Sequence, residues 1–150
     1  MAISTFSHVG LCVTDLDRSL AFYCEGLGFV PAERHELGSE LAAGLEVVGD
    51  VEGQSQFIRK GETALALLSF RSPAPDGVPL HRRNQLGITH LGFVVDDIDG
   101  TLEQLGRLGG RIVDGSRNSE HGRDVVMVCD PDGVRVTLLE PVRDDRTQVR

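Results

Sequence analysis

A chain of 150 residues with 40% apolar composition and a formal net charge of -8 is the right size for one domain with its own core, and its acidity argues against nucleic acid as a partner. Cys12, Cys24 and Cys129 show no CxxC spacing and follow no secretory signal, which argues against a disulfide framework or a cysteine zinc site and points to a reducing cytoplasm. No apolar run approaches the length of a membrane span, so no membrane partner is expected.

In chain order, the first element is a strand. Val9, Leu11 and Val13 alternate with His8, Gly10 and Cys12, the period-two pattern of a half-buried strand. Asp15 is a natural N-cap, and Asp17 sits in a first turn where the helix dipole favours negative charge. Leu16, Leu20, Tyr23 and Leu27 then recur at helical spacing, which predicts a helix with one apolar stripe, stopped by Gly26 and Gly28. Extended segments follow near 29–36, 44–49, 54–60 and 63–70, punctuated by Gly53 and Gly61. Arg71 to Gly87 carries Pro73, Pro75 and Pro79 and reads as a connector, with clustered Arg82 and Arg83 as a solvated loop face.

The opening plan then returns. Ser7-His8-Val9-Gly10-Leu11-Cys12-Val13-Thr14-Asp15-Leu16-Asp17 is matched by Thr89-His90-Leu91-Gly92-Phe93-Val94-Val95-Asp96-Asp97-Ile98-Asp99, and the register runs on without a gap to Gly28 and Gly110. Leu91, Phe93 and Val95 alternate with His90, Gly92 and Val94 as a second strand. Asp97 caps a second helix with the stripe Ile98, Leu102 and Leu105, stopped by Gly109 and Gly110. Further strands are predicted at 111–114, 124–129 and 134–140. The last two flank Asp130-Pro131-Asp132-Gly133, where Pro presets φ and Gly accepts a positive φ, as a hairpin turn requires. Module one thus covers about 6–70, the connector 71–87, module two about 88–141, and a polar, fraying tail 142–150.

The repeated strand–helix–strands plan, the strand-initial His8 and His90, the Asp-x-Asp helix starts and the Asp130–Gly133 hairpin together resemble the vicinal oxygen chelate superfamily of glyoxalases, bleomycin resistance proteins and extradiol dioxygenases. The resemblance spans nearly the whole chain, and the run from Gly87 to Asp99 is most similar to methylmalonyl-CoA epimerases and glyoxalase-like proteins. It implies an α+β fold of two βαβββ modules, with eight strands in paired half-open mixed sheets around a central cavity, and a homodimer. It also implies a divalent metal, each module giving one ligand near the start of its first strand and one, Glu or Gln, in its last. His8 and His90 match the first kind. The second kind falls four residues after Gly133 on Thr137 and, in module one, on Ala66, and neither is a carboxylate.

Glu140, three residues beyond Thr137, points to the opposite side of a strand, and Glu62 lies about 13 Å from Ala66 at the rise of an extended chain. Two imidazoles without a carboxylate make a weak divalent site. No cofactor is therefore expected; a divalent metal, if bound, has His8 and His90 as its ligands. Iron-dependent oxygen chemistry is disfavoured for the same reason, since it calls for two histidines and a carboxylate on one face.

Two functions follow from these residues. The first is an enzyme of glyoxalase-like isomerase or lyase type, moving a proton on a small oxygen-rich metabolite such as an acyl thioester or α-hydroxycarbonyl compound, with His8 and His90 as catalytic base or acid. The second is a metal-free binding or antibiotic-sequestering resistance protein. Small residues favour it, Ala66 and Thr137 at the ligand positions and Gly10, Gly92 and Cys12 around the cavity, whereas the absence of Trp counts against it. Arg135 shares the parity of Thr137 and leans to the cavity side, although a surface ion pair competes for it. Cys12 is expected as a small buried apolar residue, His35 and His121 as loop or edge residues, and Glu120 with His121 in reach of the cavity.

Overall fold

The structure, a computed structural model, describes residues 2–79 and 82–142. The tail from 143 onward, expected to fray, lies outside the described residues. The chain divides after Gly77 into two compact units, inside the Pro-rich connector, and each unit carries one copy of the repeat.

In unit one, β1 (Val9–Val13) ends at Asp15, whose Oδ1 accepts a hydrogen bond from the Arg18 N–H at 3.0 Å and so starts α1 (Leu16–Leu20) as the sequence predicts. The helix runs directly into a π-helical stretch, Ala21–Gly26. The wider turn brings two consecutive aromatics, Phe22 and Tyr23, fully into the core, where the expected stripe used Tyr23 alone. Gly28, at φ 75°, turns the chain into β2 (Val30–Gly38). β3 (Glu52–Lys60) and β4 (Thr63–Ser72) complete a sheet of order β1-β4-β3-β2, with β1 parallel to β4 and the other pairs antiparallel. Val13, Ile58, Leu65 and Leu67 join the two aromatics as its buried core.

The strand expected at 44–49 is replaced by a 3₁₀ turn at Ser39–Leu41 and one helical turn, α2 (Ala42–Leu45), closed by Glu46 at φ 55°. Leu45 and Val47 alternate over too short a run to distinguish a strand from a wound loop. The Val51 N–H donates to Ser39 Oγ at 3.0 Å, pinning both ends of the excursion.

Unit two repeats the plan with β5 (Leu91–Val94) and α3 (Ile98–Arg107), the latter capped by Asp97, whose Oδ1 accepts from the Gly100 N–H at 3.1 Å. β6 (Arg111–Ile112), β7 (Asn118–Glu120), β8 (Arg123–Cys129) and β9 (Arg135–Leu139) follow. The sheet order is β5-β9-β8-β6, β5 is parallel to β9, and β7 also pairs with β8. β7 is a ninth strand beyond the eight that the resemblance implies. It joins β8 through His121 and Gly122 at φ 51° and 77°, the left-handed pair that suits a two-residue hairpin.

The Asp130–Gly133 turn forms as predicted. Asp130 is fully buried, its Oδ1 accepts from the Asp132 and Val134 N–H groups at 2.9 and 2.8 Å, and Gly133 takes φ 99°. Ile98, Leu105, Val126, Val128, Val136 and Leu138 are buried as the core of this unit. Among the described residues no helix is long and apolar enough to cross a membrane.

Candidate functional site

The register of the two sheets puts Ala66 and Thr137 in corresponding slots. Gly10 pairs with Ala66 in β1–β4, and Gly92 pairs with Thr137 in β5–β9, so each stands opposite the glycine two residues beyond the strand-initial histidine. Each histidine is preceded by a hydroxyl residue at its Nδ1: Ser7 Oγ lies 2.9 Å from His8 Nδ1, and Thr89 Oγ1 lies 2.7 Å from His90 Nδ1.

Beyond this shared frame the surroundings differ. In unit one the His8 ring packs edge-on against Phe57, with centroids 4.9 Å apart, and Phe57 is the register partner of Ala66. His35, on the terminal strand β2, approaches the same ring at 5.9 Å, and the Arg59 guanidinium lies 5.8 Å from its centroid.

In unit two, Val125, Met127, Thr137 and Leu139 alternate onto one face of β8 and β9. With Ser116, Asn118, His90 and Arg83 they line a cavity of about 480 Å³. Arg83 stands in an exposed turn of the connector, as expected of a solvated loop face, and its guanidinium also reaches this wall. Its Nη2 donates to Thr137 Oγ1 at 3.0 Å and also approaches Met127 Sδ at 3.8 Å. Its Nη1 stands 2.7 Å from His90 Nδ1 and 3.0 Å from Nε2.

A neutral imidazole offers one acceptor nitrogen. We assign the tautomer in which His90 Nδ1–H donates to Thr89 Oγ1 and Nε2 accepts from Arg83; the Arg83 approach to Nδ1 is then a close contact and not a hydrogen bond. Burial, and then the Arg83 charge, hold the His90 pKa below the ordinary imidazole value, which favours this neutral form.

Other residues singled out from the sequence lie apart from this cluster. Arg135 shares the Thr137 face but donates from Nη1 to Cys129 Sγ at 2.8 Å and to the Gly133 carbonyl at 2.9 Å, which ties it to the hairpin. Cys12 is exposed on β1, not buried as expected. Glu62 occupies the two-residue turn before β4, not a strand position. Glu140 follows β9, its N–H donates to the Asp124 carbonyl at 3.0 Å, and its charge acts on Arg117. His121 forms the β7–β8 turn, and the Glu120 side chain lies outside the described residues. Arg83, Phe57, Met127 and Asn118 join the site without a sequence signal that marks them as site residues.

A sequence profile of the Glyoxalase/Bleomycin resistance protein/Dioxygenase superfamily matches residues 5–138. The chain belongs to this superfamily. Within it, the chain is 26% identical over 142 residues to a probable lactoylglutathione lyase of Synechocystis, covering 89% of this chain and 92% of that protein. It is 33% identical over 107 residues to the uncharacterized protein YaeR of Escherichia coli K12, covering 70% and 71%. A glyoxalase family protein from Bacillus cereus has the same fold, with a TM-score of 0.82 at 20% identity over 95% of this chain and 97% of that one. The resemblance implies Glu or Gln in metal-dependent members where this chain has Ala66 and Thr137. The described residues contain no group of three or more His, Cys, Asp or Glu placed to hold a metal ion. In unit two a guanidinium already engages His90 and Thr137, and a second cation there meets repulsion rather than a compensating charge. These donors do not fit a divalent cation.

Proposed function

We propose that this chain is a glyoxalase-like isomerase or lyase that moves a proton on a small oxygen-rich metabolite and needs no divalent metal to do so. The observation that carries the reading is His90. Its lowered pKa favours the neutral form, Thr89 orients it through Nδ1, and Nε2, which accepts from Arg83, lies at the wall of a cavity large enough for a small ligand. A neutral imidazole within hydrogen-bond reach of a carbon acid is a competent general base. His8 is the second acid–base group of the proposal, held by Ser7 in the same way. The Synechocystis relative, by its name, acts on lactoylglutathione, which supports a thioester or α-hydroxycarbonyl substrate.

The test is conversion of the hemithioacetal of methylglyoxal and glutathione by chelator-treated protein in deuterated buffer. Turnover that needs His90 and survives chelation supports the proposal. Turnover that appears only on adding nickel, cobalt, manganese or zinc overturns its metal-free part.

A second reading, sequestration of a small molecule without turnover, draws on the apolar Phe57 and Ala66 of unit one. Saturable binding with no deuterium incorporation favours it. A homodimer and a cytoplasmic setting belong to the same proposal; light scattering of the purified chain tests the first, and fractionation of the source cells the second.

A further inference from the structure

Among the described residues that line the unit-two cavity, Arg83 is the one cationic side chain and none is acidic. Its partners there are a ring nitrogen, a hydroxyl and a thioether, all neutral. Arg83 is an exposed residue whose guanidinium meets only neutral acceptors among the described residues lining the cavity, and a carboxylate would add two parallel N–H···O bonds between opposite charges. An anion entering the cavity therefore has a driving force to replace His90 and Thr137 as the acceptor.

The shape of the donors selects among anions. A guanidinium offers a planar fork that matches the two oxygens of a carboxylate. A phosphate, with more oxygens and more charge, calls for further donors, and part of the neighbouring set is engaged. Ser116 Oγ donates to the Met127 carbonyl at 3.2 Å and accepts from the Met127 N–H at 3.1 Å, while Asn118 Nδ2 donates to the Ser116 carbonyl at 3.3 Å. Thr137 Oγ1, 3.0 Å from Nη2, is placed to meet an oxygen on the carbon next to the carboxylate. Val125, Met127 and Leu139 offer apolar wall to the remainder of such a molecule.

We infer that the unit-two cavity binds the carboxylate of a small 2-hydroxy or 2-oxo acid on the guanidinium of Arg83, next to Thr137. This deepens the proton-transfer reading and rests on it for one point. When the carboxylate takes the guanidinium, the lone pair of His90 Nε2 is released beside the oxygenated carbon.

The experiment is a titration of the full chain, labelled with carbon-13 at histidine, with glycolate as the probe and uncharged hydroxyacetone and inorganic phosphate as comparisons. Saturable shifts of the His90 ring with glycolate, weaker ones with the other two, and an affinity lowered about tenfold to a hundredfold by Arg83→Gln are expected. Arg83→Lys keeps the charge without the fork and should fall between the two, and it serves in place of Arg83→Gln if the latter fails to fold. No saturable binding, equal binding of hydroxyacetone, a preference for phosphate, or unchanged affinity in Arg83→Gln overturns the inference. His90-dependent deuterium incorporation without glycolate binding would overturn it while leaving proton transfer standing. Glycolate binding that depends on Arg83, without any deuterium incorporation, would support it while removing that reading.

Discussion

The two units place the same three devices at the same stations: a hydroxyl residue against a histidine Nδ1, a glycine two residues on, and a small residue opposite that glycine. They differ in what meets the histidine ring. In unit one it is the Phe57 ring, edge-on, whose register partner is Ala66; in unit two it is the Arg83 guanidinium beside the hydroxyl of Thr137. The lesson is that a duplicated backbone can keep an imidazole's orientation fixed while its chemistry is set by residues that arrive from elsewhere in the chain. A ring set edge-to-face on an aromatic is held by dispersion and quadrupole contacts. A ring that is partly buried and set against a cation is biased to its neutral form.

The largest expected effect tests that division. On the proposed function, His90→Gln lowers the proton-transfer rate by about 10²–10⁴ and His8→Gln by less, measured as deuterium incorporation; equal losses would break the comparison. Next comes the hairpin before β9. Asp130→Ala leaves two part-buried N–H groups without the buried carboxylate that accepts from them and should cost about 2 kcal/mol in denaturant unfolding, whereas Glu62→Ala, in the exposed turn of unit one, should cost within about 0.5 kcal/mol.

The helix caps sharpen the comparison from the other side, because Asp15 and Asp97 do the same work. Asp15→Ala and Asp97→Ala should each cost about 1 kcal/mol, and a large inequality would show that the units depend differently on their helices.

The smallest effect is on titration. Since burial and Arg83 depress the His90 pKa, its contribution to stability is complete above the ordinary imidazole value and is lost as pH falls through that value toward the folded-state pKa. Arg83→Gln removes the lesser of the two causes, so the His90 ring should titrate at higher pH in the variant, read by NMR. An unchanged midpoint would mean that the guanidinium does not sit against the ring in solution.

Much of this frame was legible in the sequence because its signals are local or periodic. The repeat from Ser7 and Thr89, the two Asp caps and the Asp130–Gly133 turn each state their own geometry. Counting residues from Gly133 placed Thr137 at the slot that the β5–β9 register occupies, opposite Gly92. Arg83 was not legible, because the connector has no period and the contact with Thr137 closes a separation of 54 residues. Phe57 was hidden for a similar reason: its meeting with His8 depends on β3 lying against β4, not on any spacing within either strand. The wound loop after β2 and the short β7 fell below the length at which alternation is informative.

β6 and β7 together have a consequence for how chains meet. Both pair with the same side of β8, β6 near Cys129 and β7 near Val125, and the interval between them is bridged by the Val113 N–H on the Met127 carbonyl. The outer border of this sheet is thus built from two short, offset pieces of two and three residues, not one straight strand. A foreign strand seeking a continuous row of donors and acceptors finds an interrupted one, so this border resists fibrillar growth and ribbon-like self-association.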